Sequence, residues 1–148
     1  MHEVEAVFRL APLLDLDGEI PRLSVVANPA ATVRASEALA GAGLQGRRPL
    51  VGVHISARRA AQRWPAERFV ELIVALHARH AAAALLFWSP GAAGRVQHPG
   101  DDDKAQLIID AVGDKAPLLP YPSAALADLI GGLSVCDTVI CSDGGAMH

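Results

Sequence analysis

The sequence predicts an α/β fold, a parallel sheet with flanking helices, and three observations carry that expectation. From Pro49 onward, short apolar runs alternate with amphipathic stretches in the order strand, helix, strand, helix, strand, helix, strand, the pattern of right-handed βαβ crossovers. One stretch has Phe69, Leu72, Ile73 and Leu76 at i, i+3, i+4 and i+7, which gives a helix one apolar face to lay on a sheet. The unusual residues gather in the four loops that leave the carboxyl ends of the expected strands, Ser56 to Arg63, Ser89 to Gly100, Tyr121 to Ser123 and Ser142 to His148. In open parallel sheets that edge is where ligands bind.

The elements follow in order. Val4, Val7, Phe8, Leu10, Ala11 and Leu14 have mostly helical spacing between Glu3 and Leu16, with a break at Pro12. Asp15 to Pro21 has loop chemistry, and Leu23 to Val26 reads as a short strand. Pro29 is suited to start a helix that runs to Ala40 before Gly41 and Gly43 end it. Residues 1–48 thus form an α-rich linker or preceding segment, and residues 49–148 a domain of their own. In that domain Leu50 to Ile55 is a strand, Pro65 to His80 a helix, and Ala83 to Trp88 a second strand. Asp101-Asp102-Asp103 suits the first turn of a helix reaching Val112, since carboxylates are favoured at a helix amino end. The expected role of the triplet is helix initiation in solvent; the alternative is a carboxylate that grips sugar hydroxyls. Leu118-Leu119 makes a very short strand, Ser123 caps a helix carrying Leu126, Leu129, Ile130 and Leu133, and Thr138 to Ser142 is the last strand.

With 148 residues the chain fits one ordinary domain, and 51% hydrophobic against 20% charged residues indicates a packed core. A net charge of −3 argues against nucleic acid as the main partner. Cys136 and Cys141 flank one strand and read as reduced, cytosolic thiols. The start is acidic where a signal peptide would be basic, and no apolar run approaches the roughly eighteen residues of a membrane span.

Two loops carry the candidate chemistry. After the first strand, Ser56-Ala57 is followed by Arg58, Arg59 and Arg63 and by a helix start at Trp64-Pro65. A guanidinium there is suited to clamp a diphosphate; equally, solvated arginines line an exposed loop and Trp64 packs under the helix. After the last strand, Asp143-Gly144-Gly145 and His148 bring together a carboxylate, bare backbone and an imidazole, or form a plain turn. His54 within an apolar strand reads as a hydrogen-bonded core histidine, and Trp88 either stacks on a flat ring or fills the core. Neither a P-loop nor a GxGxxG fingerprint is present, no zinc-like quartet appears, and no serine sits in a GxSxG elbow.

Taken together, these loops resemble the C-terminal half of the heptosyltransferase-like glycosyltransferases, glycosyltransferase family 9, which includes ADP-heptose:lipopolysaccharide heptosyltransferases. The residues that carry the resemblance are His54-Ile55-Ser56-Ala57 followed by Gln62-Arg63-Trp64-Pro65, then Leu85 to Gly91, then Asp143-Gly144-Gly145-Ala146-Met147-His148. It covers nearly the whole chain. Two positions depart from the family's pattern: Gln62 stands where a lysine is common, and Gly144 where Ser or Thr is usual.

The resemblance implies a Rossmann-like domain, the C-terminal half of a GT-B architecture, incomplete at its C-terminus. It implies an inverting enzyme that needs no metal or other cofactor and moves a heptose-like sugar from a nucleotide diphosphate, an ADP-sugar by analogy, to a lipopolysaccharide-core-type acceptor. Ser56, Ala57, Gln62, Arg63, Asp143, Gly144, Gly145 and His148 would then surround the diphosphate and sugar. The general base belongs to an N-terminal domain, so no catalytic residue is assigned within residues 1–148 and the fragment alone is expected to be inactive. The implied setting is the cytoplasm, with peripheral association of the full enzyme at the inner face of the bacterial inner membrane. Two other readings stay open: a non-catalytic nucleotide-sugar-binding module, and a vestigial α/β domain that binds a partner.

Overall fold

A computed structural model describes residues 3–20, 22, 24–93, 100–142 and 144–148. Four parallel strands, β1 (Leu50–His54), β2 (Ala83–Trp88), β3 (Leu118–Pro122) and β4 (Thr138–Cys141), form one sheet in the order β3-β2-β1-β4. The register sets Leu50 beside Ala83, Ala84 beside Leu118, and His54 beside Cys141. The chain steps outward from β1 to β3, then crosses back to lay β4 on the far side of β1.

Two apolar layers sandwich the sheet, as an α/β fold requires of strands that are hydrophobic on both faces. On one face Val51, Val53, Ile55, Ala84 and Leu86 pack against Phe69 and Ile73 of α3 (Ala66–His80) and against Ala105, Ile108 and Val112 of α4 (Asp102–Val112). On the other, Leu50, Ala83, Leu85 and Phe87 meet Leu129 and Leu133 of α5 (Leu126–Ser134) and Leu39 of α2 (Pro29–Gly41). Both cores alternate along β1 and β2, because successive side chains of a strand point to opposite faces.

The helix α2 starts where Asn28 accepts hydrogen bonds from the N–H groups of Ala30 (2.9 Å) and Ala31 (3.3 Å), which satisfies two donors that a helix amino end leaves open. Its Ala31 and Ala35 are fully buried. Ala31 meets α5 at Gly131, and Arg34 pairs with Asp128 at the rim. Residues ahead of Pro49 therefore supply part of the layer that covers the sheet.

Several elements differ from expectation. The first segment is a short helix, α1 (Glu3–Phe8), and a 3₁₀ turn, Ala11–Leu14, with Pro12 at its start; Leu13 and Leu14 are exposed. Leu23 lies outside the described residues, and Ser24 to Asn28 form no strand, with Val25 and Val26 in solvent. β3 is five residues long because Pro120 and Pro122 sit on an outer strand, where a missing N–H breaks no ladder bond. The cap of α5 is Ala125; Ser123 instead gives both its N–H and its hydroxyl to the Trp88 carbonyl at 3.0 Å. Trp88 is a core residue whose indole N–H donates to Asp102 at 2.8 Å.

Candidate functional site

The sheet order makes β1 and β4 the place where the winding reverses. Their carboxyl ends splay the loops that follow to either side of a crevice, the location at which open α/β sheets bind ligands. His54 and Cys141 lie side by side in register at that edge. The loop after β1 and the loop after β4 thus start as neighbours.

Gln62 and Arg63 from the first loop, Trp64 and Phe69 from the start of α3, and Ile140, Cys141 and Ser142 from β4 and its exit line a cleft of about 320 Å³. Trp64 is 44% exposed and meets Phe69 edge-on at 5.2 Å, so it forms a wall of the cleft and is not tucked under the helix. Ser56 accepts a hydrogen bond from the Ser89 N–H at 2.9 Å, which ties the first loop to the second. Ala57 is buried, and its carbonyl accepts from Arg63 Nε at 2.9 Å. Gly144 is extended, and Gly145 opens a 3₁₀ turn that ends at Met147 before His148. These three residues lie on the loop that leaves β4 at the crevice, though they are not among the described residues lining the cleft. Asp143 lies outside the described residues, as do residues 94–99 of the second loop.

Beneath the cleft is a charged cluster that the sequence did not reveal. Asp101, expected in solvent, is buried, with Arg63 Nη1 3.5 Å from one carboxylate oxygen. Lys104, one turn along α4, donates to the Ile55 carbonyl at 3.0 Å and stands 4.8 Å above the Phe69 ring. Burial lowers the Lys104 pKa, with attraction from Asp101 opposing it and Arg63 repulsion adding to it. Burial likewise lowers His54, against attraction from Asp101 and a hydrogen bond with the Ser56 backbone. His54 is thus buried and hydrogen-bonded as expected of a core histidine, although its Nδ1 has no protein partner among the described residues.

Asp102 takes the other half of the helix start, accepting from the indole of Trp88 and from the Gly91 N–H at 2.9 Å. Adjacent carboxylates therefore fasten two different loops, Asp101 from a buried position and Asp102, like Asp103, from an exposed one. The signal for Asp101 and Lys104 was faint in sequence, three carboxylates and a lysine at a helix start. Cys136 has its thiol pKa pushed up to about 12 by burial and donates to the Gly132 carbonyl, and neither cysteine is in a disulfide. Among the described residues no group of three His, Cys, Asp or Glu is placed to hold a metal ion. No described helix is long and apolar enough to cross a membrane.

Fold and crevice together define an α/β domain of the Rossmann-like kind. The chain belongs to glycosyltransferase family 9 (heptosyltransferase), whose model matches residues 2–148. Among solved structures it is similar to a glycosyl transferase family 9 protein from Veillonella parvula, with a TM-score of 0.80 at 20% identity over 99% of this chain and 40% of that one. It is also similar to ADP-heptose lps heptosyltransferase II of E. coli, with a TM-score of 0.66 at 20% identity over 91% of this chain and 38% of that one. The chain spans about two fifths of the length of these structures. No curated protein matches it.

Proposed function

We propose that residues 49–148 are the donor-binding domain of a glycosyltransferase, and that residues 1–48 lead into it and dock α2 upon it. The crevice between β1 and β4 would take a nucleotide-diphosphate sugar, an ADP-sugar by family analogy, with a heptose-like sugar as the group transferred. The observation that supports this best is that Gln62 and Arg63 share one cleft with Ser142 at the point where the strand order reverses.

In this reading Ser56 and Ala57, with Gly144 and Gly145, leave backbone open to phosphate oxygens. Gln62 adds a neutral donor where the family commonly carries a lysine. Arg63 supplies the cation that stabilises the leaving diphosphate as its charge grows, an electrostatic contribution that needs no proton transfer. Asp143 would hold sugar hydroxyls and His148 would close the loop over the diphosphate. Transfer would proceed with inversion and without a metal ion, onto a lipopolysaccharide-core-type acceptor at the inner face of the bacterial inner membrane. The base that accepts the acceptor proton is assigned to no residue of this chain, so residues 1–148 would bind donor without turnover.

Calorimetric titration with ADP and an ADP-sugar tests the reading. Saturable binding that needs the diphosphate is expected, and no binding at millimolar ligand would sink it. Binding without transfer by an enzyme that includes these residues would favour the non-catalytic module.

A further inference from the structure

We propose that Asp101 is a positioning residue, acting through Arg63 to fix the loop after β1 in the pose that faces the crevice; its functional consequence rests on the donor-site reading above. A carboxylate with only 4% of its residue surface exposed is costly to bury unless a cation answers it. Among the described residues the cation within ion-pair range is Arg63, at 3.5 Å, while the other oxygen, Oδ2, has no protein partner. The guanidinium also donates through Nε to the carbonyl of Ala57, six residues earlier in the same loop.

Arg63 is therefore a brace. One contact closes the loop on itself, and the other anchors it to α4, an element that the loop does not adjoin in sequence. A guanidinium has five N–H donors in a fixed plane; the bond to Ala57 takes the one on Nε, and Nη1 faces Asp101 at ion-pair distance. The side chain remains 27% exposed and lines the cleft, with donors to spare for an anion. A planar group held at Nε and at Nη1 leaves Nη2 between them, and presents its donors in a single orientation, which is what oriented binding of a phosphate requires.

The sign of the effect separates positioning from bulk electrostatics. Asp101 is an anion near the proposed diphosphate site, so if only its charge mattered, D101N would tighten anion binding. Positioning demands the reverse. The experiment compares the unchanged chain with D101N, R63K and the double variant by ¹H–¹⁵N spectroscopy and by titration with ADP and with adenosine. The Arg63 Nε–H signal, protected from exchange in the unchanged chain, should be lost in D101N while backbone amides stay dispersed. ADP affinity should fall about tenfold, adenosine affinity should hold, and D101N should add less than about twofold once Arg63 is lysine. An intact Arg63 signal in D101N overturns the brace, and ADP binding as tight or tighter in D101N overturns the positioning role. Absence of ADP binding by the unchanged chain defeats the donor-site reading instead, and the Arg63 signal then decides the brace by itself. If D101N does not fold, Asp101→Glu keeps the charge on a longer arm; a shifted Arg63 signal with weaker ADP binding supports the inference, and no change in either overturns it.

Discussion

Gly132 of α5 lies so close to the ring of Phe87 on β2 that a Cβ built there would stand 2.5 Å from Cε1, with Tyr121 Cε1 at 3.0 Å. One turn face away, a Cβ at Gly131 would stand 2.7 Å from the Ala31 backbone of α2. Two adjacent glycines thus let one helix approach the sheet and a second helix at once. Phe87 is fully buried and packs edge-on to Tyr121 at 5.5 Å, so it has no space into which to retreat.

Gly132→Ala should therefore destabilise the fold, although alanine is the better helix former. Overpacking costs about 1–3 kcal/mol, and the propensity gain returns at most about 1 kcal/mol. A net loss of roughly 1–2 kcal/mol is expected in urea unfolding. Phe87→Leu opens room, so the double variant should lose less than the sum of the singles. An unchanged urea midpoint for Gly132→Ala would show that the packing is looser than described.

Gly144 offers the opposite case. Its φ of 179° is ordinary extended backbone, and the nearest atom to an added Cβ is the Ser142 carbonyl oxygen at 3.9 Å. Nothing in the described fold requires glycine there. Gly144→Ala should hold stability within about 0.5 kcal/mol, while the donor-site reading predicts that it weakens ADP binding several-fold by blocking close approach of the backbone. Equal ADP affinity in the variant would remove Gly144 from the site.

What was legible in the sequence divides along physical lines. The strands β1 and β2 announce themselves because each is apolar along its length, the helix α3 because its apolar residues recur at helical spacing, and the loops of the crevice because ligands bind at the carboxyl edge of a parallel sheet. Sequence shows only Leu118-Leu119 of β3 because proline reads as a strand breaker, whereas an outer strand tolerates Pro120 and Pro122. Ser123 reads as a cap because serine serves helices and turns through the same hydroxyl, and in the fold it binds the Trp88 carbonyl. Asp101 looked solvated because its partner Arg63 lies on another loop, and a contact between distant loops leaves no periodicity to read.

Acidification should weaken the fold through His54. Burial holds its folded pKa below the ordinary 6.5, so the native state keeps the imidazole neutral. The unfolded chain takes up the proton first as the pH drops through 6.5, so this contribution is complete above that value and declines below it until the folded pKa is passed. The urea midpoint should fall between about pH 7.5 and about pH 5, and His54→Gln should flatten part of that fall. An identical pH profile in His54→Gln would show that another group carries the dependence.

The two outer strands are protected unequally. β3 carries Pro120 and Pro122, which remove donors from its open edge, while β4 has no proline and leaves Thr138 and Val139 exposed. An open strand edge with free N–H and C=O groups is a template for pairing with another chain. Self-association of residues 1–148 is therefore expected to run through β4, with the sedimentation coefficient rising as concentration increases. Thr138→Lys sets a charge on that edge, where pairing would have to bury it, and should shift the chain toward monomer while leaving the urea midpoint within about 0.5 kcal/mol of its starting stability. A chain that stays monomeric at every concentration would contradict the expectation, and equal association with and without the lysine would place the contact on another surface.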